Sequence, residues 1–203
     1  STRKRWEDWA EEKGYELRIK EFDIEPHIAK KRNIKRDYSV PESAIDRQYM
    51  AWRKYKGMRE FTIDNSKPKA IIFDVDGTLA DMTGIRQPYD WDKVHLDKPR
   101  NSIIHLARLL KQQEFKIVVV SGRDGSCIKA TGEWLTLHGV PWDELFMRDA
   151  GDSRPDAVVK EELFWDGVFD DYNVHYVVDD RNQMVSRWRA MGLECWQVQG
   201  GDF

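Results

Sequence analysis

Cysteine is nearly absent from these 203 residues: Cys127 and Cys195 are the only two, far apart and without metal-type spacing. Nothing calls for a disulfide framework, so reduced thiols in a cytosol are expected. Long apolar runs are missing too. None approaches the about 18 residues that a membrane-spanning helix needs. The charged N-terminus shows no signal-peptide pattern, so no membrane partner and a cytoplasmic location are expected. The five histidines form no cluster, which argues against zinc. G-x-x-x-x-G-K-[ST] occurs nowhere, so no such loop cradles the β-phosphate of a nucleoside triphosphate.

Charge is abundant. Charged residues make up 34% of the chain and the mean hydropathy is -0.72. The net charge of -3 conceals an asymmetry: residues 1–60 hold 16 Lys/Arg against 12 Asp/Glu, and the remainder holds 17 against 24. A basic front and an acidic back suggest two environments, and an acidic domain handling phosphate would need a metal or local Arg/Lys.

The stretch from Lys69 to Leu79 (KAIIFDVDGTL) organises the rest. Ala70 to Phe73 reads as a fully buried strand of a parallel sheet, delivering Asp74 and Asp76 to its end. A polar turn after a core strand would carry the same residues. Two close carboxylates at a buried strand end, however, raise one pKa or recruit a cation. Apolar runs return at Lys116–Val120, Glu144–Met147, Val174–Val178 and Glu194–Val198. Helical stretches are expected between them, near Pro99–Gln112, Asp124–His138, Pro155–Trp165 and Asn182–Met191. This alternation predicts an α/β fold with a parallel sheet and helices on both faces. Polar clusters fall just past the strand ends, where such sheets place their sites.

Asp-Val-Asp-Gly-Thr-Leu after a buried strand resembles the first motif of the haloacid dehalogenase superfamily. The resemblance continues over residues 69–203. KPKAIIFDVDGTLA, VVVSGR, VVKEE followed by FW, VDDR, and ECWQV with a terminal GDF are similar to the phosphatase half of phage-type polynucleotide kinase/3′-phosphatases. It implies a Rossmann-like sheet and a phosphatase acting on DNA or RNA 3′ ends in nucleic-acid repair, in a phage-infected host cytosol. The spacing from Thr78 to Ser121 leaves room for a loop, a helix and a strand but no large cap domain, so a polymer end could enter. Hydrolysis of 2′,3′-cyclic phosphates is also implied by the family.

The resemblance implies roles for single residues. Asp74 is the expected nucleophile, forming an aspartyl-phosphate. Asp76 is the expected general acid and base, with an elevated pKa, and lends its main-chain carbonyl to the metal. Asp74, Asp179 and Asp180 would hold Mg²⁺, although an Asp pair before Asn182 also suits a helix N-cap. Ser121 and Lys160 would hold the phosphoryl oxygens, and Thr78 would orient the first motif. Arg123 and Arg86 are candidates for gripping substrate phosphate, Arg86 lying in a loop with one residue inserted relative to the family. Asp156, one helical turn before Lys160, could fix its ammonium. Trp188 and Trp196 fall inside expected elements and suit a core, as most of the tryptophans do; Trp91, in a loop, is the first to test for stacking on a base.

The front reads as a helix over Arg3–Lys13, a strand over Tyr15–Phe22, a helix from Pro26, and another from Pro41 carrying Ile45, Tyr49, Trp52 and Tyr55. Arg32 and Arg36, four apart, would share a helix face. Helix, strand, Asp23, a basic segment and a Tyr/Trp helix together resemble the back part of a P-loop 5′-kinase domain, with Arg32 and Arg36 as vestiges of its lid. The expected organisation is 1–60 kinase-like fragment, 61–68 linker and 69–203 phosphatase, with an upstream kinase segment missing, no kinase activity, and homo-oligomerisation left open. A small-molecule phosphatase and a non-catalytic assembly or nucleic-acid-binding module are the alternatives.

Overall fold

The computed structural model describes residues 2–21 and 24–200, with side chains from residue 4. Strand β1 (Lys69–Phe73) lies at the centre of a five-stranded sheet, and its neighbours are β4 (Lys116–Ser121) and β6 (Asn173–Asp179). Strands β5 (Glu144–Met147) and β7 (Cys195–Gln197) complete the order β5-β4-β1-β6-β7, parallel throughout. A two-residue antiparallel ribbon, β2 (Ala80–Asp81) with β3 (Lys98–Pro99), stands beside it.

The apolar runs are continuous because both faces of the sheet are covered. Side chains alternate along a strand, so Ile71 and Phe73 join Ile117 and Val119 under α4 (Asn101–Gln112) and α5 (Ile128–Leu137), which supply Ile104, Ala107, Trp134 and Leu135. Ala70 and Ile72 face the other way, with Val118, Val120 and Val177, against α6 (Asp156–Leu163) and α7 (Asn182–Ala190). The expected α/β sheet is present, and no large cap interrupts the chain between β1 and β4.

The front contributes helices α1 (Thr2–Lys13), α2 (Pro26–Ile34) and α3 (Glu42–Tyr55). The strand expected over Tyr15–Phe22 does not form over residues 15–21, which have no regular structure. Alternation makes a strand only where another strand takes its hydrogen bonds, and the front has none among its described residues. Phe22, Asp23 and the terminal Gly201-Asp202-Phe203 lie outside the described residues.

Arg32 and Arg36 do not share a helix face. The α2 helix stops at Ile34 because the Asn33 side chain captures Val40, donating to its carbonyl at 2.7 Å and accepting from its N–H at 3.0 Å. Both arginines are exposed, Arg36 beyond the helix end.

The front is fastened to the sheet. Arg53 of α3 forks onto Glu161 of α6 at 2.7 and 3.3 Å, and Arg187 of α7 reaches the same carboxylate at 2.7 Å and also pairs with Glu25. Residues 61–68, expected as a linker, begin with a buried Phe61 whose N–H donates to the Met191 carbonyl and whose ring meets Phe164 and Phe169 edge-on. Trp188 is core, but Trp196 on edge strand β7 is 45% exposed, stacked 4.1 Å from Tyr176 of the neighbouring β6. No described helix is long and apolar enough to cross a membrane.

Candidate active site

Three parallel strands end at one place. β1 delivers Asp74, β4 ends on Ser121, and β6 ends on Asp179 with Asp180 next. All four are buried. Gly77 lets the chain turn back after β1 in a left-handed conformation (φ 81°), and a Cβ there would sit 1.9 Å from Asp180 Oδ2. Only glycine fits both demands.

Lys160 enters from α6. Its Nζ lies 2.6 Å from Asp74 Oδ1, 3.4 Å from Asp179 Oδ2 and 3.6 Å from Asp156 Oδ2. Burial works against the ammonium, but Asp156, Asp179 and Asp74 outweigh it and hold its pKa well above the usual lysine value. Asp156 also accepts from Arg148 Nη2 at 3.1 Å and faces Arg181 at 3.8 Å. Its carboxylate lies so close to Gly122 that a Cβ there would be 1.7 Å from Oδ1.

One ammonium does not balance three carboxylates. Burial drives the Asp74 pKa well above the usual range against the pull of Lys160, and Asp179 and Asp180 add to the rise. Burial and Asp179 likewise push Asp180 up to about 6. Each of Asp74, Asp179 and Asp180 offers an oxygen within 4.8 Å of the others; among the described residues no other trio of His, Cys, Asp or Glu does so. Asp180 Oδ2 is buried with no hydrogen-bond partner among the described residues. A hard divalent cation fits such an oxygen-only set. The Asp76 side chain is not part of this trio.

Asp76 is the centre of a second cluster. Its Oδ1 accepts from Arg86 Nη2 and Arg123 Nη2, both at 2.7 Å, and its Oδ2 accepts from Arg123 Nε at 2.9 Å. The elevated pKa expected for Asp76 is therefore corrected. Burial raises it, but the charge and hydrogen bonds of Arg123, followed by Arg86 and Lys160, bring it below the usual carboxylate range.

Arg86 and Arg123 are directed onto carboxylates as well as toward the site. Asp97 was not foreseen. It is fully buried and accepts from Arg86 Nε and Nη2 at 2.8 Å each and from Arg123 Nη2 at 2.5 Å. Trp134 Nε1 fixes the Asp97 backbone carbonyl at 2.8 Å. No motif marks this aspartate; the only signal was a lone acid ahead of Lys98-Pro99.

Ser121 Oγ accepts from the Arg123 N–H at 3.2 Å, which ties the end of β4 to the arginine cluster. Thr78 Oγ1 is buried with no partner among the described residues, while the Thr78 N–H donates to the Val75 carbonyl. The structure thus gathers Asp74, Asp76, Thr78, Ser121, Arg86, Arg123, Asp156, Lys160, Asp179 and Asp180 at one edge of the sheet. Arg32 and Arg36 remain on the front segment.

Residues 68–203 match the family model of the polynucleotide kinase PNKP phosphatase domain. A protein described as a bifunctional polynucleotide kinase/RNA ligase, from Autographa californica nuclear polyhedrosis virus, is 30% identical over 194 residues. That alignment takes in 93% of this chain and 28% of the viral protein. A solved structure of a Pnkp1/Rnl/Hen1 complex aligns with a TM-score of 0.68 at 38% identity, over 70% of this chain and 50% of that one. A structure of the Pnkp1/Rnl/Hen1 RNA repair complex gives 0.68 at 32% identity, over 91% and 65%. The chain therefore spans less than two thirds of the length of each of these relatives. With a family match over two thirds of its residues, the chain belongs to the polynucleotide kinase phosphatase domains, phosphoric monoester hydrolases of the haloacid dehalogenase fold.

Proposed function

We propose that the chain is a Mg²⁺-dependent polynucleotide 3′-phosphatase that removes phosphate from DNA or RNA ends through an aspartyl-phosphate on Asp74. The observation that carries this reading is the placement of Asp74 Oδ1 2.6 Å from Lys160 Nζ, in a trio of buried carboxylates, two residues from a carboxylate held by two arginines. The residues present fit a divalent cation: the carboxylates of Asp74, Asp179 and Asp180 would hold it, with the Asp76 main-chain carbonyl as the further ligand the family uses. Bound there, it would offset the repulsion between a carboxylate nucleophile and an anionic phosphate.

Asp74 attacks phosphorus, splitting one displacement into two. Lys160 and Ser121 orient the non-bridging oxygens, and Asp156 aims Lys160. Asp76 gives a proton to the leaving 3′-oxygen and later takes one from the hydrolytic water. In the resting protein its depressed pKa keeps it ionised. The substrate's negative charge offsets the pull of Arg86 and Arg123 and raises that pKa on binding, which allows Asp76 to act as the acid. The substrate thus helps to arm its own catalyst.

Residues 1–60 are proposed as a kinase-like fragment, 61–68 as its connection and 69–203 as the phosphatase. Without a G-x-x-x-x-G-K-[ST] loop this chain carries no 5′-kinase activity. The relatives' assemblies support a role in nucleic-acid end repair, with RNA or DNA ends as substrates. The test compares Mg²⁺-dependent phosphate release from a 3′-phosphorylated oligonucleotide, a nucleoside 3′-monophosphate and p-nitrophenyl phosphate. The oligonucleotide should have the highest kcat/KM, and Asp74→Asn should abolish release from it. Equal specificity constants on all three would refute the polynucleotide assignment.

A further inference from the structure

The leaving oxygen of the substrate must lie within reach of Asp76 to take its proton. The terminal nucleoside therefore occupies the Asp76 side of the site. On the Lys160 side the neighbours are charged, with Asp156 between Arg148 and Arg181. On the Asp76 side both arginines hold the buried Asp97, and their remaining contacts differ. Arg123 also donates to Thr131 Oγ1 at 3.3 Å. Arg86 turns its remaining donor to the loop that follows it. Its Nη1 donates to the Gln87 and Pro88 carbonyls at 3.3 and 3.1 Å, and its guanidinium carbon lies 5.9 Å from the centre of the Trp91 ring.

The next ring is Tyr89. It meets Trp91 edge-on at 5.8 Å and is 81% exposed. Trp91 has a packing reason for its position, since it lies against Arg86 and the small cluster of Val94, Cys127 and Met147. Burial gives Tyr89 no such reason. The backbone that displays it is nevertheless fixed: Arg86 holds the two carbonyls before it, and the Trp91 N–H donates to the Tyr89 carbonyl at 3.0 Å. An exposed ring on a loop anchored through one guanidinium to Asp76 is a pre-organised surface for a flat partner.

We infer that Tyr89, braced by Trp91, is the stacking platform for the base of the substrate's 3′-terminal nucleotide. This rests on the polynucleotide reading above. It assigns Arg86 two tasks: restraining Asp76 and setting the loop that receives the base. Stacking tolerates any base, as an enzyme that repairs ends of many sequences requires.

The experiment uses the full chain and two 3′-phosphorylated oligonucleotides, one ending in an ordinary nucleotide and one in an abasic residue. For the wild type, loss of the terminal base should lower kcat/KM about tenfold. Tyr89→Ala should show a similar drop on the ordinary substrate and little discrimination between the two, and Tyr89→Phe should restore the preference. An unchanged melting temperature would show that the exposed position has not disturbed the fold. If Tyr89→Ala discriminates against the abasic end as strongly as the wild type, or lowers both substrates equally, the inference is overturned and the polynucleotide reading stands. If the wild type releases phosphate from glycerol phosphate but from neither oligonucleotide, the polynucleotide reading itself fails and the platform falls with it.

Discussion

Asp97→Asn tests the idea that Asp76, the proposed general acid, is held in place from behind. The substitution keeps the shape and one acceptor oxygen but removes the charge that receives three bonds from two buried guanidinium groups. Breaking a buried ion pair by removing one partner costs about 3–5 kcal/mol. Asp76 remains as a counter-charge for both arginines, which places the cost near 3 kcal/mol. In a chain of this length that is a fall in melting temperature of about 6–12 °C. Asp76 and Arg123 then lose their common register, and misplacement of a reacting group by a fraction of an ångström should lower kcat/KM about tenfold or more. Differential scanning calorimetry and steady-state phosphate release measure the two effects. A melting temperature within about 2 °C of wild type, with kcat/KM within twofold, would refute the argument.

Three further outcomes are expected. In metal-free protein, Asp180→Asn should stabilise the fold at pH 8. A carboxylate raised to about 6 contributes stability that is complete below its unfolded value and lost as pH rises through the folded one. The gain should be about 6 °C or more by thermal melting and should vanish below about pH 4; a fall in melting temperature at pH 8 would contradict it. Gly122→Ala should lower kcat/KM about tenfold with KM for the oligonucleotide also raised, because the new methyl displaces Asp156 from Lys160. Wild-type kinetics in that variant would show that the aspartate does not aim the lysine. Arg53→Met should cost about 2 kcal/mol in urea unfolding, and a double-mutant cycle with Glu161→Gln should give a coupling above about 1 kcal/mol. Coupling near zero would mean that the ion pair at 2.7 Å adds nothing to docking.

The central strands and the helices were legible because burial on both faces leaves an unmistakable run such as Ile71–Phe73 or Val118–Val120. Local pattern also placed Asp74, Ser121, Lys160 and Asp179 at their strand ends and helix. It could not give the pairing order, since nothing in β1 names β4 and β6 as its neighbours. The alternation over Tyr15–Phe22 misled because a strand is a property of two segments. Arg36 was placed on a helix that Asn33 ends by reaching seven residues along the chain. The largest gap was electrostatic. Asp97 lies 11 residues from Arg86 and 26 from Arg123, so no spacing rule connects them, and the direct hold of both arginines on Asp76, which depresses its pKa, was equally invisible. Trp196 has the composition of a core strand, but edge strand β7 leaves one face of it to water.

The fastening of the front segment decides where this protein can be divided. A cut just ahead of Lys69, at the start of the first strand, would remove Phe61 and uncover the apolar face of Phe164 and Phe169. It would also strip Glu161 of one of its two cations, one residue along from Lys160. The family match begins at residue 68, but the packing of the matched domain extends back through Arg53. Anyone preparing a minimal enzyme, or grafting this domain onto another protein, must therefore carry α3 along with it.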